Sequence, residues 1–299
     1  MSGQSNLDGP GAAEPHRPPE DVLPEGHTIH RLARDLKATL GAGPNSETVH
    51  ATALQERFSA GIARIDGARL LRTDAWGKHF FAAFRPKDAP AGTAGIAWLH
   101  VHLGLYGTFV VGRGEPPEPK GELRLRLQSS RGWADLRGAT ACELLDDAER
   151  NAVLARLGQD PLRKDADPLR PWSKIRRSKV ALGALLMQQD VVAGIGNVYR
   201  AEILFRHGLD PFRPGRELSQ ERWLDLWNDL VVLMRSGVRS GRIVTTRPAD
   251  RPRRGRVLRD DAFYVYRRAG LPCRICGAPV QTVVMAGRNL YWCAKDQPD

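Results

Sequence analysis

The apolar residues of this chain change period near residue 147. Before that point Leu123, Leu125 and Leu127 alternate with Glu122, Arg124 and Arg126, the period-two pattern of a half-buried strand. After it Trp223, Trp227, Leu230, Val231 and Met234 recur at helical spacing, opened by Ser219 as a candidate N-cap. A strand-rich part followed by a helix-rich part predicts an α+β, multidomain fold.

Phe80 to Phe84 and Trp98 to Leu103 are expected to be further strands, separated by the turn-forming segment 86–95, and several short strands at this spacing predict a β-sandwich or barrel. One amphipathic helix leads them. Ile29, Leu32, Ala33, Leu36 and Leu40 share a face, and Gly41 supplies a stop. Beyond residue 147, helices are expected over Val180 to Gln188 and Val198 to His207, with Gly194 and Gly196 in the turn between them. The expected boundaries are 24–150 for the sandwich, 151–260 for the helical domain and 261–299 for a small cysteine-bearing unit. Residues 1–23, rich in Gly, Pro, Ser and acids, are expected to be a disordered extension or a mis-assigned start.

Of 299 residues, 41% are hydrophobic and 26% charged, which excludes wholesale disorder. Lys and Arg number 45 against 34 acids, a net charge of +11 that favours a polyanionic partner, nucleic acid or an anionic membrane surface. No run of about 18 apolar residues could span a bilayer, and the first 22 residues lack a signal-peptide core. A cytoplasmic protein, nucleoid-associated if bacterial, is expected. Nine arginines fall between 235 and 259.

Cys273-Arg-Ile-Cys276 is followed after sixteen residues by Cys293, and the partner position at matching spacing is Asp296. Two such knuckles on facing hairpins hold tetrahedral zinc, for which carboxylate oxygen is an allowed ligand. The alternative is a degenerate finger with three free thiols. Cys142, far away in the strand region, is expected to be a buried small hydrophobe.

The segment LMQQDVVAGIGNVYRAEILFRHGLDP resembles the helix–two-turn–helix of the formamidopyrimidine-DNA glycosylase and endonuclease VIII family of base-excision-repair enzymes. The same resemblance runs through the Pro24-Glu25-Gly26 start, the Gly77-Lys78 pair and the PCRICG…GRNLYWC finger. It implies a DNA glycosylase with apurinic/apyrimidinic lyase activity, a structural zinc held by Cys273, Cys276, Cys293 and Asp296, and damaged double-stranded DNA as partner of a monomer. Pro24 would be the nucleophile, Glu25 the acid that opens the sugar, and Lys78 a phosphate contact that assists proton transfer. Asn197 and Arg288 would grip phosphate. Leu105 and Tyr106 sit where relatives push side chains into the base stack, although ordinary sheet packing would also account for them. The Leu-Tyr pair is similar to the endonuclease VIII branch, and Arg137-Gly-Ala139 lacks the Phe of the other branch, which points to oxidised pyrimidines.

Three residues depart from the family pattern. Thr28 replaces a second glutamate, Asp296 replaces a cysteine, and Pro24 is internal. An internal proline nitrogen is an amide whose lone pair is delocalised, so it cannot form a Schiff base. Translation from Leu23 or removal of the first 23 residues would free it. Without either, a damage-binding protein that keeps the clamp but not the amine is the alternative, with a zinc-bearing DNA binder that lacks lesion specificity third.

Overall fold

The computed structural model describes residues 24–53, 61–87, 89, 95–119 and 121–298, so the expected disordered extension and most of the 86–95 turn lie outside the described residues. Helix α1 (Gly26–Leu40) buries Ile29, Leu32, Ala33, Leu36 and Leu40, and ends at Gly41 with φ 74°. A positive φ without a Cβ clash is what glycine supplies at a helix stop.

Eight antiparallel strands follow: β1 (Thr48–Thr52), β2 (Ala68–Trp76), β3 (His79–Arg85), β4 (Ala97–His102), β5 (Thr108–Arg113), β6 (Leu123–Ser129), β7 (Gly132–Arg137) and β8 (Ala141–Leu145). Their order is β5-β7-β6-β1-β2-β3-β4-β8. Strand β1 pairs with β2 on one side and β6 on the other, so the sheet has two halves joined through it. Leu70, Phe80 and Leu99 from one half meet Leu125, Leu127 and Leu136 from the other in a single core closed by α1. This is the expected sandwich with its leading helix.

The strand expectations need three corrections. Short strands are expected from about residue 58 onward, whereas β1 already begins at Thr48. Residues Phe80 to Phe84 are buried throughout rather than alternately, because Phe81, Ala83 and Trp98 form a second cluster with Val153 on the outer face. Arg126 is not a solvent-facing strand residue. It is buried against Asp135, with Nε and Nη2 donating to the two carboxylate oxygens at 2.7 and 2.8 Å. A buried charge is tolerated when its partner matches it bidentately.

The helical part comprises α2 (Asp147–Ala155), α3 (Leu169–Ile175), α4 (Leu182–Leu185), α5 (Asn197–Arg206) and α6 (Gln220–Ser240). Asp146 and Glu149 form a capping box at α2, and the Ser219 hydroxyl accepts the Arg222 amide at 3.3 Å as the expected cap of α6. The expected helix over 180–188 is only the single turn α4. Its apolar residues are buried on several sides, a pattern that periodicity cannot distinguish from a longer helix.

Strands β9 (Gln281–Met285) and β10 (Arg288–Trp292) form a hairpin whose turn residues Ala286 and Gly287 have φ 53° and 68°, as a type I′ turn requires. Cys273 and Cys293, which flank the hairpin, pack with Ala201 and Phe205 of α5. Among the described residues, no helix is long and apolar enough to cross a membrane. Cys142 is buried as expected, and burial pushes its thiol up to about 11.

Candidate active site

Three glycines from three distant segments meet at one point. A Cβ on Gly26 would lie 3.0 Å from the Gly194 Cα, and one on Gly77 would lie 2.9 Å from the Gly194 nitrogen. The Gly26 amide donates to the Gly194 carbonyl at 2.8 Å. Only residues without side chains allow the start of α1, the β2–β3 turn and the turn before α5 to approach so closely. Pro24-Glu25, Lys78 and Asn197 are thereby gathered, although Lys78 lies 53 positions beyond Glu25 and Asn197 lies 119 beyond Lys78.

Glu25 is buried, and its carboxylate sits at the N-terminus of α5. Oε2 accepts the Gly196 amide at 2.9 Å and Oε1 the Val198 amide at 2.8 Å. A Cβ on Gly196 would fall 2.4 Å from the Glu25 carboxyl carbon, so the second glycine of the turn admits the acid. Burial raises the Glu25 pKa, opposed by the Lys78 charge and then by these amides. Burial likewise lowers the Lys78 pKa, opposed by Glu25. In each group burial disfavours the charged form, and the opposite charge of the other resists that shift.

A cleft of about 1250 Å³ lies between the two parts of the molecule. Pro24, Glu25, Lys78, Asn197 and Arg288 all line it. Leu105 and Tyr106 project from the β4–β5 turn at its rim and are 41% and 86% exposed. Neither belongs to the buried core of the sandwich. Asn197 is not free: its Nδ2 donates to the Asn289 carbonyl at 2.9 Å, tying α5 to the hairpin that carries Arg288.

The Sγ atoms of Cys273, Cys276 and Cys293 and a carboxylate oxygen of Asp296 all lie within 4.8 Å of one another. Cys273 Sγ is 2.9 Å from Asp296 Oδ2, and Cys276 and Cys293 Sγ are 3.4 Å apart. Zinc–sulfur bonds of about 2.3 Å put tetrahedral neighbours about 3.8 Å apart, a spacing that lies within the spread of these donors, so the four suit one structural zinc with no open position.

Several contributors escape a reading of the chain alone. Buried Asp160 accepts the Gly77 amide and the His30 Nε2, each at 2.7 Å, and so fixes the Lys78 turn. His102 Nδ1 takes the Gly104 amide at 3.2 Å and lies 2.9 Å from Thr140 Oγ1, bracing the Leu105 turn. His27 and Tyr199 meet edge to face beneath the site. The HLGLYG string around His102 is the one local signal that could have pointed to any of these.

Comparison with known proteins agrees with this geometry. Residues 23–142 match the model of the formamidopyrimidine-DNA glycosylase N-terminal domain, 157–248 its H2TH domain, and 270–298 the zinc finger found in these glycosylases and isoleucyl-tRNA synthetases. The chain is 45% identical to Endonuclease 8 1 of Mycobacterium tuberculosis, covering 91% of this chain and 98% of that protein. It is 32% identical to the formamidopyrimidine-DNA glycosylase of Bdellovibrio bacteriovorus over 66% of this chain and 73% of that one. Among solved structures, the Thermus thermophilus glycosylase superposes with a TM-score of 0.68 at 29% identity, over 92% of this chain and 98% of that one. A Lactococcus lactis glycosylase in complex with DNA containing an abasic site shares the fold, with a TM-score of 0.70 at 19% identity over 92% and 100%. This chain belongs to the formamidopyrimidine-DNA glycosylase and endonuclease VIII family, the bifunctional DNA glycosylases and abasic-site lyases of base-excision repair.

Proposed function

We propose that Pro24, once it is the first residue, is the nucleophile that removes oxidised pyrimidines from duplex DNA and cuts the strand. Its secondary amine would attack C1′ as the glycosidic bond breaks. The base leaves with a proton, and C1′ becomes an iminium bonded to the proline nitrogen. That electron sink acidifies C2′–H, so β- and then δ-elimination expel the two phosphates, and water releases the sugar remnant. Glu25, buried and adjacent, donates a proton to the ring oxygen to open the sugar. Lys78, Asn197 and Arg288 hold phosphates, and Leu105 and Tyr106 fill the void left by the everted base at an unstacking cost of a few kcal/mol. The seating of Glu25 against the Gly196 and Val198 amides, beside Pro24 and Lys78, is the observation that carries this reading.

The match to the glycosylase N-terminal domain begins at residue 23, one position before Pro24. In the 299-residue chain the Pro24 nitrogen is an amide, which favours the clamp-only damage binder for that form. Borohydride reduction separates the two. A chain beginning at Pro24 is expected to form a trapped covalent complex with duplex DNA bearing an oxidised pyrimidine or an abasic site, and the chain beginning at Met1 is not. Equal trapping by both removes Pro24 as nucleophile. Trapping by neither, with lesion binding intact, leaves the damage binder.

A further inference from the structure

Arg267 has φ 54°, in the left-handed region where a long side chain is strained and glycine is not. Its neighbours impose that conformation from both sides. Ahead of it, fully buried Glu202 accepts the amides of Tyr264, Val265 and Tyr266 at 2.8, 2.8 and 2.7 Å, with the Thr245 hydroxyl as a fourth donor. Behind it, the Arg268 amide donates to the Val265 carbonyl at 3.0 Å, and the Arg268 guanidinium donates to the Tyr264 and Pro272 carbonyls. Glycine would satisfy this turn without strain, yet the chain keeps an arginine.

The Arg267 side chain is exposed on the wall of the cleft that holds Pro24, Glu25 and Lys78. Its guanidinium carbon lies over the Tyr266 ring, 5.6 Å from the centroid. No carboxylate pairs with it among the described residues, whereas Arg126 and Arg206 are each held bidentately by an aspartate. The guanidinium also reaches the Tyr266 hydroxyl, and with no carboxylate on it the remaining N–H donors of the fork face the cleft for a planar or tetrahedral anion.

We propose that Arg267 is a phosphate-binding residue of the cleft that holds the damaged strand beside the everted nucleotide. This rests on the glycosylase reading above. The backbone strain is kept because it aims an unpaired cation at the DNA, and the Glu202 clamp is what sustains it.

The test uses the chain beginning at Pro24 and a duplex carrying a tetrahydrofuran abasic analogue, with affinity measured by fluorescence anisotropy across a salt series. Arg267→Gly preserves the left-handed turn, so its melting temperature is expected to be no lower than that of the unaltered chain. Its affinity is expected to fall about tenfold, and the slope of log affinity against log salt to become shallower by about 0.9, the loss of one phosphate contact. Arg267→Lys is expected to restore the slope but only part of the affinity, because a point charge cannot bind bidentately. An unchanged affinity in Arg267→Gly overturns the proposal. So does a weakened affinity with an unchanged slope, which would make Arg267 a base contact, or a slope that lysine does not restore. Failure of the unaltered chain to prefer the analogue over intact duplex would instead remove the glycosylase reading itself.

Discussion

The Glu25 carboxylate accepts the Val198 amide at 2.8 Å across 173 residues of sequence. One contact thus joins the start of the sandwich domain to the first turn of α5, and it places a buried acid on the positive end of a ten-residue helix. Glu25→Gln keeps an acceptor for one amide but has no proton to deliver to the sugar. Excision of an intact oxidised base should fall about 10²- to 10⁴-fold, the usual worth of general acid catalysis. Cleavage at a preformed abasic site should be largely spared, since that sugar already samples the open aldehyde. Single-turnover rates on the two substrates check this, and equal losses on both would remove Glu25 as the ring-opening acid.

Stability should fall with acid through histidines buried neutral. Burial, with Arg31 and His30 nearby, lowers the His27 pKa to about 3. Burial, with His102, His100, Arg156 and Lys78 nearby, lowers that of His79 to about 3. The unfolded chain protonates both below their ordinary 6.5, while the native state does not until about 3. Their contribution is therefore complete above pH 6.5 and is lost as pH falls toward 3, at up to about 1.4 kcal/mol per pH unit for each. Urea unfolding between about pH 7.5 and pH 5 should show the decline, and His79→Phe should flatten it by about one proton. A midpoint that does not move with pH would contradict this.

The zinc site should tolerate a return to thiolate better than the loss of one. Asp296→Cys is expected to retain one zinc per chain through dialysis, and Cys276→Ser to lose it and to bind the abasic-analogue duplex more weakly. The finger displays Arg288 at the first position of β10, directly across from Met285, so an unfolded hairpin withdraws that cation from the cleft. Metal-to-protein ratios measured alongside DNA affinity decide the matter. Metal-free protein with undiminished binding would show that the finger does not hold Arg288 in place.

What could be read from the chain was what lies close together in it. Cys273, Cys276, Cys293 and Asp296 span a short hairpin, so spacing alone gathers their donors. The apolar stripe of α1 and the Ser219 cap are likewise local. Pro24-Glu25, read by themselves, are an ordinary helix start; their relation to Gly77 and Gly194 depends on long-range backbone approach that no period encodes. Asp160 is invisible for the same reason, because its partners His30 and Gly77 are 130 and 83 residues away. Strand β3 reads as half-buried because sequence cannot say that α2 will cover its outer face. Arg267 carries no motif at all, and only its backbone angle distinguishes it.

Tyr106 is 86% exposed and Leu105 41%, on a turn braced by His102 and outside the buried core of the sandwich. Exposed side chains of this kind contribute little to folding, so Leu105→Ala and Tyr106→Ala should each change stability by less than about 0.5 kcal/mol. Their work would begin only when a base leaves the stack. An empty slot in the duplex costs a few kcal/mol in lost stacking, and an apolar wedge with an aromatic ring recovers part of it. Each alanine variant should therefore bind a lesion-bearing duplex about 10- to 30-fold more weakly, which corresponds to about 1.4 to 2 kcal/mol. Binding to undamaged duplex, held by phosphate contacts alone, should barely change. A 2-aminopurine placed beside the lesion reports the same event, since its fluorescence rises as stacking is broken and falls when a side chain fills the gap. Equal weakening on damaged and undamaged DNA, or a collapse in melting temperature, would return Leu105 and Tyr106 to a structural role.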